Sequence, residues 1–303
     1  MTPKNDQIGE RKIGGLFNLL VVYFVWGSTY LAIRMAVKDD GGFSPFVLGF
    51  SRVLVAGSCL LLWGILRGEK IKPTLHDAIT LLGSGLLLWV GGNGLLNWAE
   101  QRVNSGLAAL ILAVTPIWIT IIEMILDRKR PSYKTVVALL IGFGGITVLT
   151  LPTIRTGINA DILSILGLLL AGLSWGAGSV FQSRRRLALS PVVNAGYQQI
   201  IGAFGFGMIV LLLGDTWETY AVKVWFAWSY LVIFGGIFAF TSYVRAIELL
   251  PIKIVATYAY VNPVIAVFLG WLVLGEPITM WTLVGTILVL TGVWGIYREK
   301  FRS

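Results

Sequence analysis

Trp89, Asn93, Asn97 and Glu100 recur at i, i+4, i+8 and i+11 in an otherwise apolar stretch, which puts an indole, two amides and a carboxyl on one helix face. A polar stripe in a hydrophobic helix must face protein or water rather than lipid. The stripe therefore belongs to a cavity or to a hydrogen-bonded seam between helices. Tyr23, Trp26 and Tyr30 share a face of the first apolar run, where plain aromatic packing competes with a binding role. Further candidates are Trp175 with Gln182, Asn194 with Gln198, and Tyr258 with Asn262. Together these residues predict a cavity of rings and amides with little fixed charge. Its expected lining is Trp26, Tyr30, Trp89, Asn93, Asn97, Trp175, Gln198, Tyr258 and Asn262.

Charged candidates are few. Arg52 stands inside the second apolar run, where a charge is costly unless it is paired or solvated. It would neutralise a substrate carboxylate or pair with Glu100. Glu100 is the best-placed proton carrier: burial favours its neutral form, whereas pairing with Arg52 favours its charged form. Glu123 would snorkel, pair with Arg128 or gate, and Arg245 and Glu248, three apart, would pair locally. His76 beside Asp77 reads as a solvated edge residue.

Enzyme chemistry has little to work with. There is one histidine, and the one cysteine, Cys59, lies in an apolar run. No disulfide framework, metal site, cofactor or Walker-type phosphate loop is expected. A membrane-embedded enzyme or a non-transporting scaffold therefore stand only as alternative readings.

Membrane helices must position these residues. The 303-residue chain is 56% apolar and 13% charged, with a mean hydropathy of +0.80. Soluble proteins carry about a quarter charged residues, so this is an all-α integral membrane protein. Apolar runs of about 20 residues predict ten spans: 14–36, 44–67, 77–99, 104–126, 133–152, 161–182, 191–213, 224–246, 252–274 and 279–297. The first run is long enough to span and has no cleavage layout, so it is expected to remain as a helix. With both termini in the cytoplasm, eighteen of the 24 Lys and Arg residues fall in inside segments such as 128–130 and 184–186. The net charge of +9 thus reads as a topology signal rather than a nucleic-acid surface.

The chain also repeats. A shift of 146 to 149 residues sets Trp26-Gly27-Ser28 on Trp175-Gly176-Ala177, Ser44-Pro45 on Ser190-Pro191, and Pro116 on Pro263. Five spans per half force the halves, 1–152 and 153–303, to insert in opposite orientations. The basic Arg128-Lys129-Arg130 accordingly meets an uncharged-by-cation counterpart, Gly275-Glu276-Pro277. Inverted repeats are a transporter design in which paired weakened helices meet at the substrate site. Pro116 and Pro263, which cannot donate helical hydrogen bonds, are expected to supply that weakness.

WGSTYLAIR, RVLVAG, VGGNG and AYVNPVIAVFLGWLVLGEP, in this order along nearly the whole chain, resemble the EamA-type exporters of the drug/metabolite transporter superfamily. The first half departs from the pattern, with Arg128-Lys129-Arg130 where the second half has Gly-Glu-Pro. The resemblance implies ten helices in two inverted five-helix repeats around a central cavity. It also implies export of small metabolites such as amino acids, amines or related drug-like compounds by alternating access, with proton antiport as the expected coupling. The setting would be the inner (cytoplasmic) membrane, and the protein a monomer or homodimer whose partners are lipid and a small-molecule substrate.

Overall fold

The computed structural model describes residues 3–37, 41–103, 105–155, 162–215, 220–274 and 278–302. Lys38, Asn104, Gly275-Glu276-Pro277 and Ser303 lie outside the described residues. All regular structure among the described residues is helical. The elements are α1 (Pro3–Val37), α2 (Pro45–Leu66), α3 (Leu75–Glu100), α4 (Ser105–Leu112), α5 (Thr115–Asp127) and α6 (Tyr133–Arg155). They continue as α7 (Ile162–Ser183), α8 (Pro191–Leu213), α9 (Val222–Leu249), α10 (Ile252–Val255), α11 (Tyr258–Leu274) and α12 (Met280–Arg302).

Eight stretches among the described residues are long and apolar enough to cross a bilayer: Glu10–Val37, α2, α3, Leu107–Asp127, α7, α8, α9 and Met280–Glu299. The expected fifth and ninth spans correspond to shorter apolar stretches, Tyr133–Leu149 and Ile252–Ile265. Helix starts follow from local chemistry. Pro45 and Pro191 open α2 and α8 in the first turn, where a missing N–H costs nothing. Ser190 caps α8 by accepting from Val193 N at 3.2 Å. Thr74 and Asp77 form a reciprocal capping box on α3. Asp77 is thereby buried and also accepts from Ala188 N at 3.2 Å, while its neighbour His76 stays exposed.

The two prolines act differently. Pro116 sits in the first turn of α5, just after the α4–α5 break, rather than inside a kinked helix. Pro263 lies inside α11, and the break in its run comes earlier, between α10 and α11. Leu86–Gly94 within α3 and Leu231–Ala239 within α9 are π-helical, each nine residues long and each containing a Gly-Gly pair. π segments are rare and concentrate at functional sites.

Elsewhere the helices meet at van der Waals limits. A Cβ on Gly292 of α12 would lie 2.6 Å from the Gly142 backbone of α6, and one on Gly285 would lie 2.7 Å from Leu149 N. Small residues let backbones approach this closely where lipid supplies no hydrophobic drive between helices. Gly144, by contrast, has open space around it. Gly292→Val should therefore separate α6 from α12 and cost about 1–3 kcal/mol, whereas Gly144→Ala should be near neutral. Thermal melts of the two purified variants in detergent check this, and equal melts would refute the close-packing role.

Candidate functional site

The π segments, the second half of α1 and the α10–α11 junction converge on a cavity of ≈ 80 Å³. A water needs roughly 10–15 Å³ by the same measure, so several fit. Trp26, Tyr30, Arg52, Trp89, Asn93, Trp175, Tyr258 and Asn262 all line it. Thr29, Thr115, Gln199 and the glycines Gly92, Gly235 and Gly236 join them. At one end the lining reaches Ile33 and Leu96, close to the ends of α1 and α3 away from the chain termini, and Leu112 lines it at the α4–α5 break.

An aromatic cluster floors the cavity toward the termini. The Trp26 ring centre lies 5.4 Å from Trp175, 4.9 Å from Tyr243 and 5.1 Å from Tyr258. Edge-to-face and tilted pairs at these distances add about 0.5–1.5 kcal/mol each beyond area burial. Trp175 Nε1 donates to the Tyr243 hydroxyl at 3.0 Å, and Ser179 Oγ lies 2.5 Å from the same oxygen. Tyr243 and Phe240, which packs on Trp89 at 4.8 Å, were missed in the sequence. Their signal was the i, i+3 aromatic spacing near the end of the eighth apolar run.

The irregular backbone and the cavity walls support each other. Trp26 Nε1 donates to the Gly235 carbonyl at 3.3 Å, and Gln199 Nε2 donates to the Gly236 carbonyl at 3.2 Å. Across the site, Ser174 Oγ donates to the Leu87 carbonyl at 2.8 Å. Gly92 lets Trp175 pack against α3, since a Cβ there would stand 2.7 Å from the Trp175 ring. Asn262, oriented for satisfaction, donates to the Tyr23 and Tyr258 carbonyls at 3.2 and 3.0 Å and also meets the Tyr30 side chain.

Arg52 is 6% exposed, and Nη2 donates to Asn93 Oδ1. Its guanidinium lies 5.5 Å from the centre of the Trp89 ring. Glu100 does not line the cavity; it is fully buried one turn beyond Leu96, within electrostatic reach of Arg34 and Arg52. Neither of its oxygens has a hydrogen-bond partner among the described residues. Asn97 and Gln198 face helix seams instead of the cavity. Asn97 Nδ2 donates to the Pro45 carbonyl at 3.2 Å, and Gln198 Nε2 donates to Ser84 Oγ and to Gln182 Oε1 at 2.5 and 2.9 Å. Periodicity fixes the face of a helix but not the neighbour at each height, and at those two heights the neighbour is another helix. Pro263 is buried within α11, and Pro116 is buried beside the lining residue Thr115.

At the end bearing the termini the helices close on one another. Tyr23 OH lies 2.5 Å from Thr257 Oγ1 and 3.2 Å from Tyr297 OH. Glu123 pairs with Lys253 at 3.1 Å, not with Arg128, because Arg128 takes a left-handed conformation that ends α5 and turns the chain away. Arg184 pairs with Asp127 at 2.7 Å, and Arg245 with Glu248 at 3.0 Å.

A multi-pass helical bundle enclosing a polar and aromatic cavity is the architecture of a membrane transporter. Residues 13–151 and 162–298 each match the EamA-like transporter family, and the chain belongs to that family, within the drug/metabolite transporter superfamily. The uncharacterized inner membrane transporter YedA of Escherichia coli (strain K12) is 32% identical over 274 residues, covering 89% of this chain and 86% of YedA. The uncharacterized transporter YoaV of Bacillus subtilis (strain 168) is 23% identical, covering 92% and 95%. A crystal structure of a protein 19% identical superposes with a TM-score of 0.76 over 97% of this chain and 98% of that one, a likeness of fold. The chain is thus a transporter and not an enzyme.

Tyr243→Phe tests the cavity floor. Removing the hydroxyl leaves the buried Trp175 Nε1 without its acceptor, a loss of about 1–3 kcal/mol. The melting temperature in detergent should fall, and an unchanged melt would mean the indole finds another partner.

Proposed function

We propose that this protein is a secondary transporter that exports small metabolites across the inner (cytoplasmic) membrane by alternating access. The observation that carries the reading is the central cavity, lined where two π segments and a broken helix meet. Irregular backbone at membrane depth is tolerated where it lines a cavity, and such sites bind substrate in repeat-built transporters. Under this reading Trp26, Tyr30, Trp89, Asn93, Trp175, Tyr258 and Asn262 contact substrate. The two family matches support a division at 152/153 into two inverted five-helix repeats, ten spans in all. The spacing of the π segments, whose first residues Leu86 and Leu231 stand 145 positions apart, supports it too. The Lys and Arg distribution supports cytoplasmic termini.

Liposomes loaded with amino acids, amines and drug-like compounds test transport directly. Substrate-dependent flux is the expected outcome, and Asn93→Leu or Asn262→Leu should abolish it while folding and insertion persist. Unchanged flux in both variants would return those amides to a structural role. For coupling, Glu100 is the buried carboxyl one turn beyond the lining residue Leu96, and we assign it the proton in an antiport cycle. Glu100→Gln should then lose uphill, pH-gradient-driven flux; retained uphill flux would leave Glu100 structural.

Alternating access also assigns a role to the Glu123–Lys253 pair. It joins α5 to α10, helices of different halves, at the end where the cavity is closed. Breaking it should favour the conformation open toward the termini. In Glu123→Gln, a cysteine placed at Thr29 should react faster with a membrane-impermeant maleimide applied from the cytoplasmic side. Equal rates in the parent and the variant would remove the gate.

A further inference from the structure

We propose that the cavity binds its ligand through a carboxylate held by Arg52, so that it selects organic anions carrying an apolar or aromatic body and disfavours cationic amines. The inference rests on reading the cavity as the substrate site, and it narrows the substrate class.

Arg52 is the one charged residue lining the cavity among the described residues. A guanidinium has five N–H donors, and among the described residues Arg52 commits a single one, to the neutral Asn93 oxygen. No carboxylate stands within ion-pair distance of it among the described residues. Its Nε is buried without a partner, and so is the indole Nε1 of Trp89 beside it. Both side chains are more than nine-tenths buried. This wall of the cavity therefore presents donors and a positive charge without an acceptor to answer them. An oxygen anion is the ligand chemistry that satisfies such a wall, because a planar guanidinium fork matches a carboxylate bidentately. A cation placed here would meet Arg52 in a poorly solvated site, where like charges repel strongly.

The arrangement of Glu100 fits the same chemistry. Its carboxyl acts on Arg52 electrostatically but makes no hydrogen bond to it, and it stands outside the lining. Glu100 can offset the charge of Arg52 across space while leaving the guanidinium's donors free for a ligand. Tyr30, Arg34 and Arg52 are the titratable and charged groups with which Glu100 interacts. With Glu100 ionised, Glu100→Gln leaves the site more positive. The guanidinium lies over the Trp89 ring, and the neighbouring rings Trp26 and Trp175 supply the apolar wall for the rest of the ligand.

Three ligands of matched shape test the inference on the purified protein in detergent: phenylacetate, 2-phenylethanol and 2-phenylethylamine. Ligand stabilisation, read by thermal shift, and quenching of tryptophan fluorescence both report binding. Phenylacetate should bind tightest and 2-phenylethylamine weakest. Arg52→Gln should lose about tenfold or more for phenylacetate and little for 2-phenylethanol. Arg52→Lys, which keeps the charge but not the fork, should keep the order of preference with weaker binding. Glu100→Gln should strengthen phenylacetate binding several-fold. The ranking within the parent protein needs no variant, so misfolding of Arg52→Gln does not blunt the test. Absent phenylacetate binding, or amine binding equal to it, overturns the inference, as does an unchanged preference in a folded Arg52→Gln. If liposomes then show flux of amines, transport stands and only the anion site falls. If carboxylates bind with the expected order but no compound is carried, the anion site stands and the transport reading falls.

Discussion

Inside a bilayer every backbone N–H and C=O must find its partner within the protein, and the rest of this structure follows from that constraint. Regular α-helix satisfies it without help, so most of the chain is regular. A π turn or a break interrupts the ladder and leaves carbonyls that side chains must answer. Here the side chains that do so are Trp26, Gln199 and Ser174, reaching the carbonyls of Gly235, Gly236 and Leu87. Trp26 and Gln199 are also cavity walls. The irregular backbone and the cavity are thus one feature: the side chains that satisfy the first shape the second.

The scaffold around this centre is built on opposite lines. Where α6 meets α12, and where α2 meets α8, glycines bring backbones into direct contact. A Cβ on Gly57 would lie 2.9 Å from the Gly196 carbonyl. Tight seams of this kind cannot deform continuously, because close-packed interiors resist small shifts. Deformation of the bundle is then most readily accommodated at the breaks, α4–α5 and α10–α11, and in the π segments. The ion pair between Glu123 and Lys253 lies on the two broken runs, at the end that the aromatic floor also closes.

Charge is distributed with similar economy. One guanidinium faces the cavity, and one carboxyl stands behind it, out of the lining. Most other cations cluster at helix ends, where Arg67, Arg102 and Arg298 lie over the rings of Trp63, Trp98 and Trp294. An aromatic ring and a basic side chain together suit the interface between hydrocarbon and water, since each has an apolar body and a polar end.

The sequence by itself determined the class of protein, the apolar runs and much of the cavity. Hydropathy and length are local, additive properties, and a bilayer turns them directly into helices. Trp26, Tyr30, Trp89, Asn93, Trp175 and Asn262 were legible because an intramembrane polar or large aromatic residue on a helical face has few places to point. Tertiary structure decided the rest. Asn97 and Gln198 carry the same signal as Asn93, yet they meet the Pro45 carbonyl and the Ser84 and Gln182 side chains, because another helix happens to stand at their height. Glu123 found Lys253, 130 positions away in the chain, which no spacing rule reaches. The π geometry of Leu86–Gly94 and Leu231–Ala239 is a third case. Gly-Gly pairs permit a widened turn, but its formation depends on side chains from other helices arriving to take the released carbonyls, and that is a property of the packed bundle alone.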